Sequence, residues 1–285
     1  MGLFRKRRVL ISNQSGGKRL IDVYVLNAPM PFRFLIFFLL LSATGFAQQN
    51  RIIDRNAIGW YVYTGDHKLS HHWAVHTEYQ WRRVDLIRSW QQSLARLGAV
   101  YTLSDRVKFG GGYTFFTTYP YGDYPVADAG VPTIESRIYE DIQLSDKIGI
   151  LKLTHRVRLE QRWLGTGADG NPRQIVDWEY QHRVRYQVSG EIPLKGPTID
   201  DGEVYLNFFD ELFIGFGRNV EQNVFNQNRI SAGFGYQIRD SFSLELNYLN
   251  QISQHPEIDQ PTGKPVFEIN HGFRLNVRYD LDFTR

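Results

Sequence analysis

Polar and apolar residues alternate from Leu151 to Trp163. The odd-numbered positions are apolar, aromatic or weakly polar, and the even-numbered positions are polar or charged. Successive side chains of an extended strand point to opposite faces, so a period of two over this length predicts a β-strand. The charged face is too dense for the packed core of a soluble protein, while the other face is apolar and ends in an aromatic residue.

The same alternation returns strand after strand up to Phe283, and the connections between the strands also follow a pattern. Short turns alternate with long ones, as expected of an outer-membrane barrel with tight turns on one side and longer loops on the other. The long connection 189–202 falls on the short-turn side and is an exception. The short turns lie near 103–106, 145–147 and 239–241, and the long connections near 119–133, 165–174, 217–228 and 253–266.

These patterns predict an all-β fold, a transmembrane antiparallel up-and-down β-barrel of about 10–12 strands. Ten strands are counted from Trp73 onward, and the alternating segment from Ala57 to Tyr63 makes eleven. Bacterial barrels have even strand numbers, so ten or twelve is expected. The eleventh segment therefore conflicts with the barrel rule.

The first 47 residues have the composition of a leader. A basic residue, Arg33, precedes an apolar run from Phe34 to Leu41, and the small residues Gly45 and Ala47 follow. This arrangement predicts a secretory signal peptide cleaved after Ala47, although a buried core helix is the alternative. Translation can start at Met1 or at Met30. The predicted domains are 1–47, an N-terminal extension with the signal peptide, and 48–285, the barrel.

The net charge of +3 comes from the leader, which holds seven basic residues and one acidic residue. The remaining chain has 26 basic against 29 acidic residues, which gives no support to nucleic-acid binding. The chain has no cysteine, so disulfides and thiolate sites are excluded. We expect no cofactor and no metal, since no phosphate loop, dinucleotide fingerprint or zinc spacing is present.

Several short motifs occur along the chain in a characteristic order. They are Arg137 to Glu140, Arg156 to Arg162, Arg183 to Tyr186, Asp210 to Phe213, Asn226 to Arg229, and Glu245 to Leu249. In the order of these motifs the chain resembles domain of unknown function 2490, a family of Bacteroidetes-type outer-membrane barrels. The resemblance implies a barrel in the outer membrane of a Gram-negative bacterium, with no known chemistry.

The charged residues on the inward-facing positions are the main candidate site. Two interpretations remain open: a salt-bridged interior that braces a narrow barrel, or an arginine-lined passage or pocket for a small anionic solute. The predicted lumen charge network is Glu135, Arg137, Asp141, Arg156, Arg158, Glu160, Arg162, Glu179, Arg183, Arg185, Glu211, Arg229, Glu245, Arg274 and Arg278.

Aromatic residues near the strand ends predict interfacial girdles, with lipid as the partner. The tryptophans, including Trp60 and Trp90, lie mostly near strand ends, and the last strand closes on an aromatic residue, as in barrels that the assembly machinery recognises. The predicted interfacial aromatics are Trp73, Trp81, Trp163, Trp178, Tyr279 and Phe283.

The sequence thus predicts an outer-membrane barrel of undetermined activity, either structural or a small porin-like pore. A lipid-active enzyme carried by the barrel is one alternative, because His155 and His182 share the outward face of adjacent strands. No serine accompanies them on that face, so the nucleophile is missing and we expect no catalytic residue. A secreted soluble β-sandwich that binds a ligand is the other alternative.

Overall fold

A computed structural model describes residues 4–12, 18–26, 50–126, 131–168, 171–220 and 222–284. The chain divides into two compact units, Met1–Gln49 and Asn50–Arg285. In the first unit, strands β1 (Phe4–Ser12) and β2 (Lys18–Leu26) pair in antiparallel fashion. The predicted signal peptide, residues 30–47, lies outside the described residues. No helix among the described residues is long and apolar enough to span a membrane.

The second unit is one sheet that closes on itself, so the predicted all-β barrel is confirmed and the β-sandwich is wrong. Each strand pairs with its neighbours in chain order. The strands are β3 (Ile52–Lys68), β4 (Trp73–Val84), β5 (Ser89–Ser104), β6 (Val107–Thr118), β7 (Thr133–Ile148), β8 (Leu151–Ala168), β9 (Asn171–Pro193), β10 (Glu203–Phe216), β11 (Phe225–Arg239), β12 (Phe242–Asp259) and β13 (Lys264–Tyr279).

The barrel has eleven strands, so the predicted range of 10–12 and the count that includes Ala57 to Tyr63 are confirmed, and only the expectation of an even number is wrong. The segment Ala57 to Tyr63 belongs to β3, which pairs with β4 in antiparallel fashion and with β13 in parallel fashion. An odd number closes because this single parallel pair joins the first barrel strand to the last. The parallel contact continues beyond β13, since the Lys68 amide donates to Leu281 O at 2.8 Å.

We call the end of the barrel at which β13 finishes the short-turn end, and the opposite end, where β3 begins, the long-loop end. Tight turns join β5 to β6, β7 to β8 and β11 to β12 at the short-turn end. The exceptional long connection lies there too, as residues 194–202 between β9 and β10. The short turn predicted near 145–147 lies at 149–150, because β7 runs on to Ile148.

Two predicted loops are largely strand. Strands β8 and β9 pair through most of 165–174, and β12 and β13 pair through much of 253–266. Glycine, proline and aspartate suggested loops there, but register shifts within both hairpins accommodate these residues without ending the pairing. Both hairpins therefore run past the ends of shorter strands such as β4 and β10 at the long-loop end.

Polar and apolar side chains are segregated across the barrel wall. Large apolar residues in mid-strand face outward and are exposed, such as Leu97 at 61% and Leu246 at 58%. The interior is largely charged and polar, with a small apolar cluster of Ile58, Trp60, Val62 and Leu249. Trp60 is therefore an interior residue and not part of an interfacial girdle, because its position in β3 has the same facing as Ile58.

Candidate functional site

Buried ion pairs line the lumen near the middle of the wall. Glu160 is only 1% exposed and accepts hydrogen bonds from Arg183 at 2.6 Å and from Arg185 at 2.7 Å. Arg185 also donates to Glu211 at 2.6 Å, which links strands β8, β9 and β10. Hydrogen bonds between charged partners are the strong ones, so these contacts hold adjacent strands in register.

The same layer continues around the barrel with further pairs. Glu135 accepts from Arg137 and Arg162, each with a closest contact of 2.5 Å. Asp141 pairs with Arg158, and Glu78 pairs with Arg96. Among the described residues, the arginines of this layer are Arg82, Arg96, Arg137, Arg156, Arg158, Arg162, Arg183, Arg185 and Arg229, and the carboxylates are Glu78, Glu135, Asp141, Glu160 and Glu211.

Aromatic rings inside the barrel support this arginine-rich layer. The Phe213 ring lies 4.5 Å from the guanidinium carbon of Arg185 and 4.6 Å from that of Arg229. The Phe116 ring lies 4.1 Å from the guanidinium carbon of Arg137. A guanidinium over an aromatic face gains from the ring quadrupole, more strongly where water is excluded. The rings thus partly replace the water that the arginines lose.

Glycines make room for the layer. A Cβ on Gly110 would overlap the Asp141 carboxylate, and a Cβ on Gly98 would overlap the Tyr139 hydroxyl and lie 2.8 Å from the Gly111 carbonyl oxygen. Both glycines face inward, opposite the larger residues of the adjoining strands. The glycine run at 110–112 therefore serves close packing inside a strand.

Arg82 is the one arginine of this layer that forms no ion pair with a described carboxylate. It is 2% exposed, and its hydrogen bonds go to the amide oxygens of Gln80 and Gln92, with Arg82 Nε to Gln80 at 2.7 Å. Its guanidinium carbon lies 3.8 Å from the Trp60 ring centroid. No carboxylate forms an ion pair with it within the part of the chain that the structure describes. Because amide oxygens and an aromatic ring surround this buried guanidinium, its positive charge is not neutralised.

Our predicted network missed Arg82, Arg96 and Glu78. In β4, the alternation of polar and apolar residues indicated that Glu78 and Arg82 face the interior. In β5 the signal is disturbed by a register shift opposite Arg82 and Arg83, so Trp90 faces outward although the even-numbered Arg96 faces inward. A bulge of this kind reverses the parity of a strand and hides its inward residues.

A cavity of about 540 Å³ occupies the lumen between this layer and the short-turn end. Its mouth includes Asp105, Lys152 and Asp280, near the short-turn end, and its floor includes Arg82 and Arg229. The connection 194–202 overhangs the mouth, where Lys147 Nζ donates to Pro197 O at 3.1 Å. The lumen is therefore open to one side and filled by side chains at mid-height.

At the long-loop end, the described residues 119–124 of the connection after β6 fold inward. Tyr121 donates a hydrogen bond to Glu268, and Gln91 Nε2 donates to the Tyr121 hydroxyl at 3.0 Å. Burial and the Glu268 carboxylate raise the pKa of Tyr121 well above its usual value, so the phenol stays protonated and acts as the donor. Gly122 (φ +76°) lies against Asp54, where its left-handed backbone suits a residue without a side chain.

The structure places the predicted network residues inside the barrel with one exception. Glu179 lies where β9 extends beyond the lumen and is exposed, and it accepts a hydrogen bond from Gln181 at 2.5 Å. Its facing agrees with the alternation, and it is linked to the arginine layer through Gln181, which accepts a hydrogen bond from Arg162 at 3.2 Å. The other predicted residues all take part in ion pairs, with Glu245, Arg274 and Arg278 nearer the short-turn end.

The predicted interfacial aromatics lie in two groups on the outer surface. Trp73 and Tyr279 are exposed at the short-turn end, and Phe283 lies just beyond β13. Trp81, Trp163 and Trp178 lie toward the long-loop end. Trp81 packs against Trp90 with ring centroids 6.1 Å apart, and Trp163 packs against Tyr180 at 5.1 Å.

The two outward histidines of the enzyme alternative do not share a site. His155 pairs with Val188, whereas His182 pairs with Gln161, so the histidines are offset by six residues of β8. This offset corresponds to about 20 Å along the strand. Each has an aromatic partner of its own: Tyr186 with its hydroxyl 2.7 Å from His155 Nδ1, and Phe216 stacked on His182 at 5.2 Å.

These features define a closed β-barrel with an ion-paired interior and a polar cavity open at one end. A sequence model of a protein family of unknown function, DUF2490, matches residues 58–261. The chain therefore belongs to the DUF2490 family, in agreement with the resemblance drawn from its motifs. No curated protein and no solved structure showed a match to the chain.

Proposed function

We propose that the chain is an outer-membrane barrel that crosses the lipid with β3–β13 and keeps a non-conducting lumen with a polar pocket facing one compartment. The observation that carries the membrane location is the distribution of side chains across the wall. Mid-strand residues such as Leu97, Phe234 and Leu246 are exposed outside, while charged residues fill the inside. This is the reverse of a water-soluble barrel and matches a lipid-facing apolar band.

The non-conducting lumen is supported by two obstructions in series. At mid-height, Arg82 of β4 and Arg229 of β11 both pack on the inward ring of Trp60 in β3, so side chains from distant strands meet in the lumen. Beyond them, Tyr121 and its partners cover the long-loop end. A small barrel whose interior is filled with side chains acts as a structural or binding barrel and not as a channel.

The experiment is a planar-bilayer recording on the full chain, produced in cells and purified in detergent. Heat-modifiable migration on gels and recovery in the outer-membrane fraction test the membrane location first. With folding shown in this way, we expect no discrete current steps. Discrete steps with anion preference, lost when Arg156, Arg158 and Arg183 are neutralised, would instead establish a pore and contradict the closed lumen.

A further inference from the structure

The mid-height layer carries more positive charge than it can neutralise. Nine arginines share five carboxylates among the described residues of this layer. Three carboxylates toward the barrel ends are already engaged: Glu245 with Arg274 and Arg278, Glu268 with Tyr121, and Asp66 with His76. Unpaired charges in a site with little water are costly, so this excess favours a bound counter-ion.

The excess is concentrated at the floor of the cavity. Arg82 forms no ion pair with any carboxylate of the described segments, and Arg229 Nη1 is 3.8 Å from Glu211, at the outer limit of an ion pair. Both guanidinium groups pack on the Trp60 ring, with their carbons 3.8 and 4.9 Å from its centroid. An anion at this floor is attracted by two arginines that would otherwise repel each other.

Further donors without an acceptor line the same cavity. Arg156 Nε and Arg158 Nη1 are buried and make no hydrogen bond, and Asn207 Nδ2 is buried and also makes none. These residues belong to the cavity wall. Buried donors are normally satisfied, so three such groups lining one cavity point to a ligand that supplies acceptor oxygens.

We propose that the floor of the lumen cavity binds a small oxyanion of the phosphate class beside Arg82 and Arg229. The planar fork of arginine suits phosphate oxygens, and a multivalent anion compensates the excess charge better than a monovalent one. The cavity volume lies within the range of roughly 300–1,000 Å³ found for small-molecule sites. The ligand enters from the short-turn end, so the inference deepens the proposed pocket but does not require conduction.

The test is isothermal titration of the purified full chain in detergent with inorganic phosphate. We expect saturable binding of one phosphate per chain, and Arg82→Gln should weaken the affinity at least tenfold. The matched control is Arg83→Gln, because Arg83 is the next residue of β4 but contacts Trp81 and Trp90 on the outer face. It should leave the affinity within twofold of the unchanged protein.

Thermal unfolding distinguishes loss of the phosphate site from misfolding of the variant. Phosphate should raise the thermal midpoint of the unchanged protein and of Arg83→Gln, but not that of Arg82→Gln. Without phosphate, Arg82→Gln should be at least as stable as the unchanged protein, since it removes an uncompensated buried charge. Arg82→Lys keeps the charge without the fork and should bind with intermediate affinity.

The competing anions identify the source of the phosphate group. Sulfate should compete with phosphate and acetate should compete poorly, whereas competition by phosphatidylglycerol micelles would indicate a lipid headgroup in place of a free anion. Absence of saturable phosphate binding, or equal loss in Arg82→Gln and Arg83→Gln, would overturn the site. If the protein conducts ions and binds phosphate, the closed lumen is wrong and the anion site stands. If the protein does not conduct and does not bind phosphate, the anion site is wrong and the closed lumen stands.

Discussion

Tyr121 donates a hydrogen bond to Glu268 although the two residues are 147 positions apart in the chain. The contact ties the connection after β6 to the far side of the barrel, in β13. Glu268 also accepts from Asn270, so a small polar cluster holds the connection over the long-loop end. Since the phenol is buried, its loss leaves a buried carboxylate with one donor fewer.

Tyr121→Phe should therefore loosen the closure of the long-loop end. We expect a loss of about 1–3 kcal/mol in the free energy of unfolding and faster proteolysis between β6 and β7, because a buried acceptor loses its partner. Limited proteolysis and denaturant unfolding of the purified chain measure both effects. Tyr124→Phe is the control, because Tyr124 is exposed and its hydrogen bond to Asp54 comes from the backbone amide at 3.3 Å. Equal effects of the two changes would show that the Tyr121–Glu268 hydrogen bond does not hold the connection over the long-loop end.

Glu160→Gln should destabilise the barrel more than any change on the outer face. Glu160 neutralises Arg183 and Arg185, so the amide leaves both guanidinium groups short of negative charge. Breaking one side of a buried ion pair costs about 3–5 kcal/mol. Denaturant unfolding, followed by the heat-modifiable band on gels, measures the loss.

The control for this change is Glu140→Gln in the neighbouring strand β7. Glu140 is exposed and its contact is an outward hydrogen bond from Gln161 at 3.3 Å, so the removal of its charge from the lipid-facing side should not lower the stability. A loss of stability in Glu160→Gln no larger than in Glu140→Gln would show that the ion-pair layer does not brace the barrel.

The alternation predicted well which side of the wall each side chain faces. It could not predict how far along the barrel axis a residue lies, or that a parallel strand pair closes the barrel. A period of two assigned Arg158 and Glu160 to the interior, because each strand residue has only two possible sides. Glu179 has the same facing but lies beyond the lumen, since strand length is set by hairpin pairing and not by the pattern. The unpaired state of Arg82 depends on which residues four other strands bring near it, which no local pattern records. The parallel pairing of β3 with β13 is equally non-local.

Gly98→Ala should destabilise the barrel by about 1–3 kcal/mol, because the added methyl group would meet the Gly111 carbonyl oxygen and the Tyr139 hydroxyl. Gly111→Ala is the matched control, since its Cβ would have its nearest neighbour at 3.5 Å, an ordinary contact. It should change stability by about 0.5 kcal/mol or less. Thermal unfolding of both variants measures these effects. If Gly98→Ala lowers the thermal midpoint no more than Gly111→Ala does, Tyr139 does not occupy the space opposite Gly98.

The parallel closure of β3 on β13 can be tested by a disulfide, because the chain has no native cysteine. Tyr61 lies directly beside Leu275 in the parallel register. Tyr61→Cys with Leu275→Cys should therefore form a disulfide on mild oxidation, visible as a change in gel mobility without reductant. Neighbouring strands are about 4.8 Å apart, within reach of a disulfide after a small adjustment.

The control pair for the closure is Tyr61→Cys with Val277→Cys, which is shifted by two residues along β13. The shift adds about 6.6 Å along the strand, which a disulfide does not span. Efficient oxidation of the first pair and not of the second would establish both the parallel direction and its register. If the shifted pair oxidises as well as the first, or if neither does, β3 does not close the barrel in this way. An even strand number would then again be the simpler expectation.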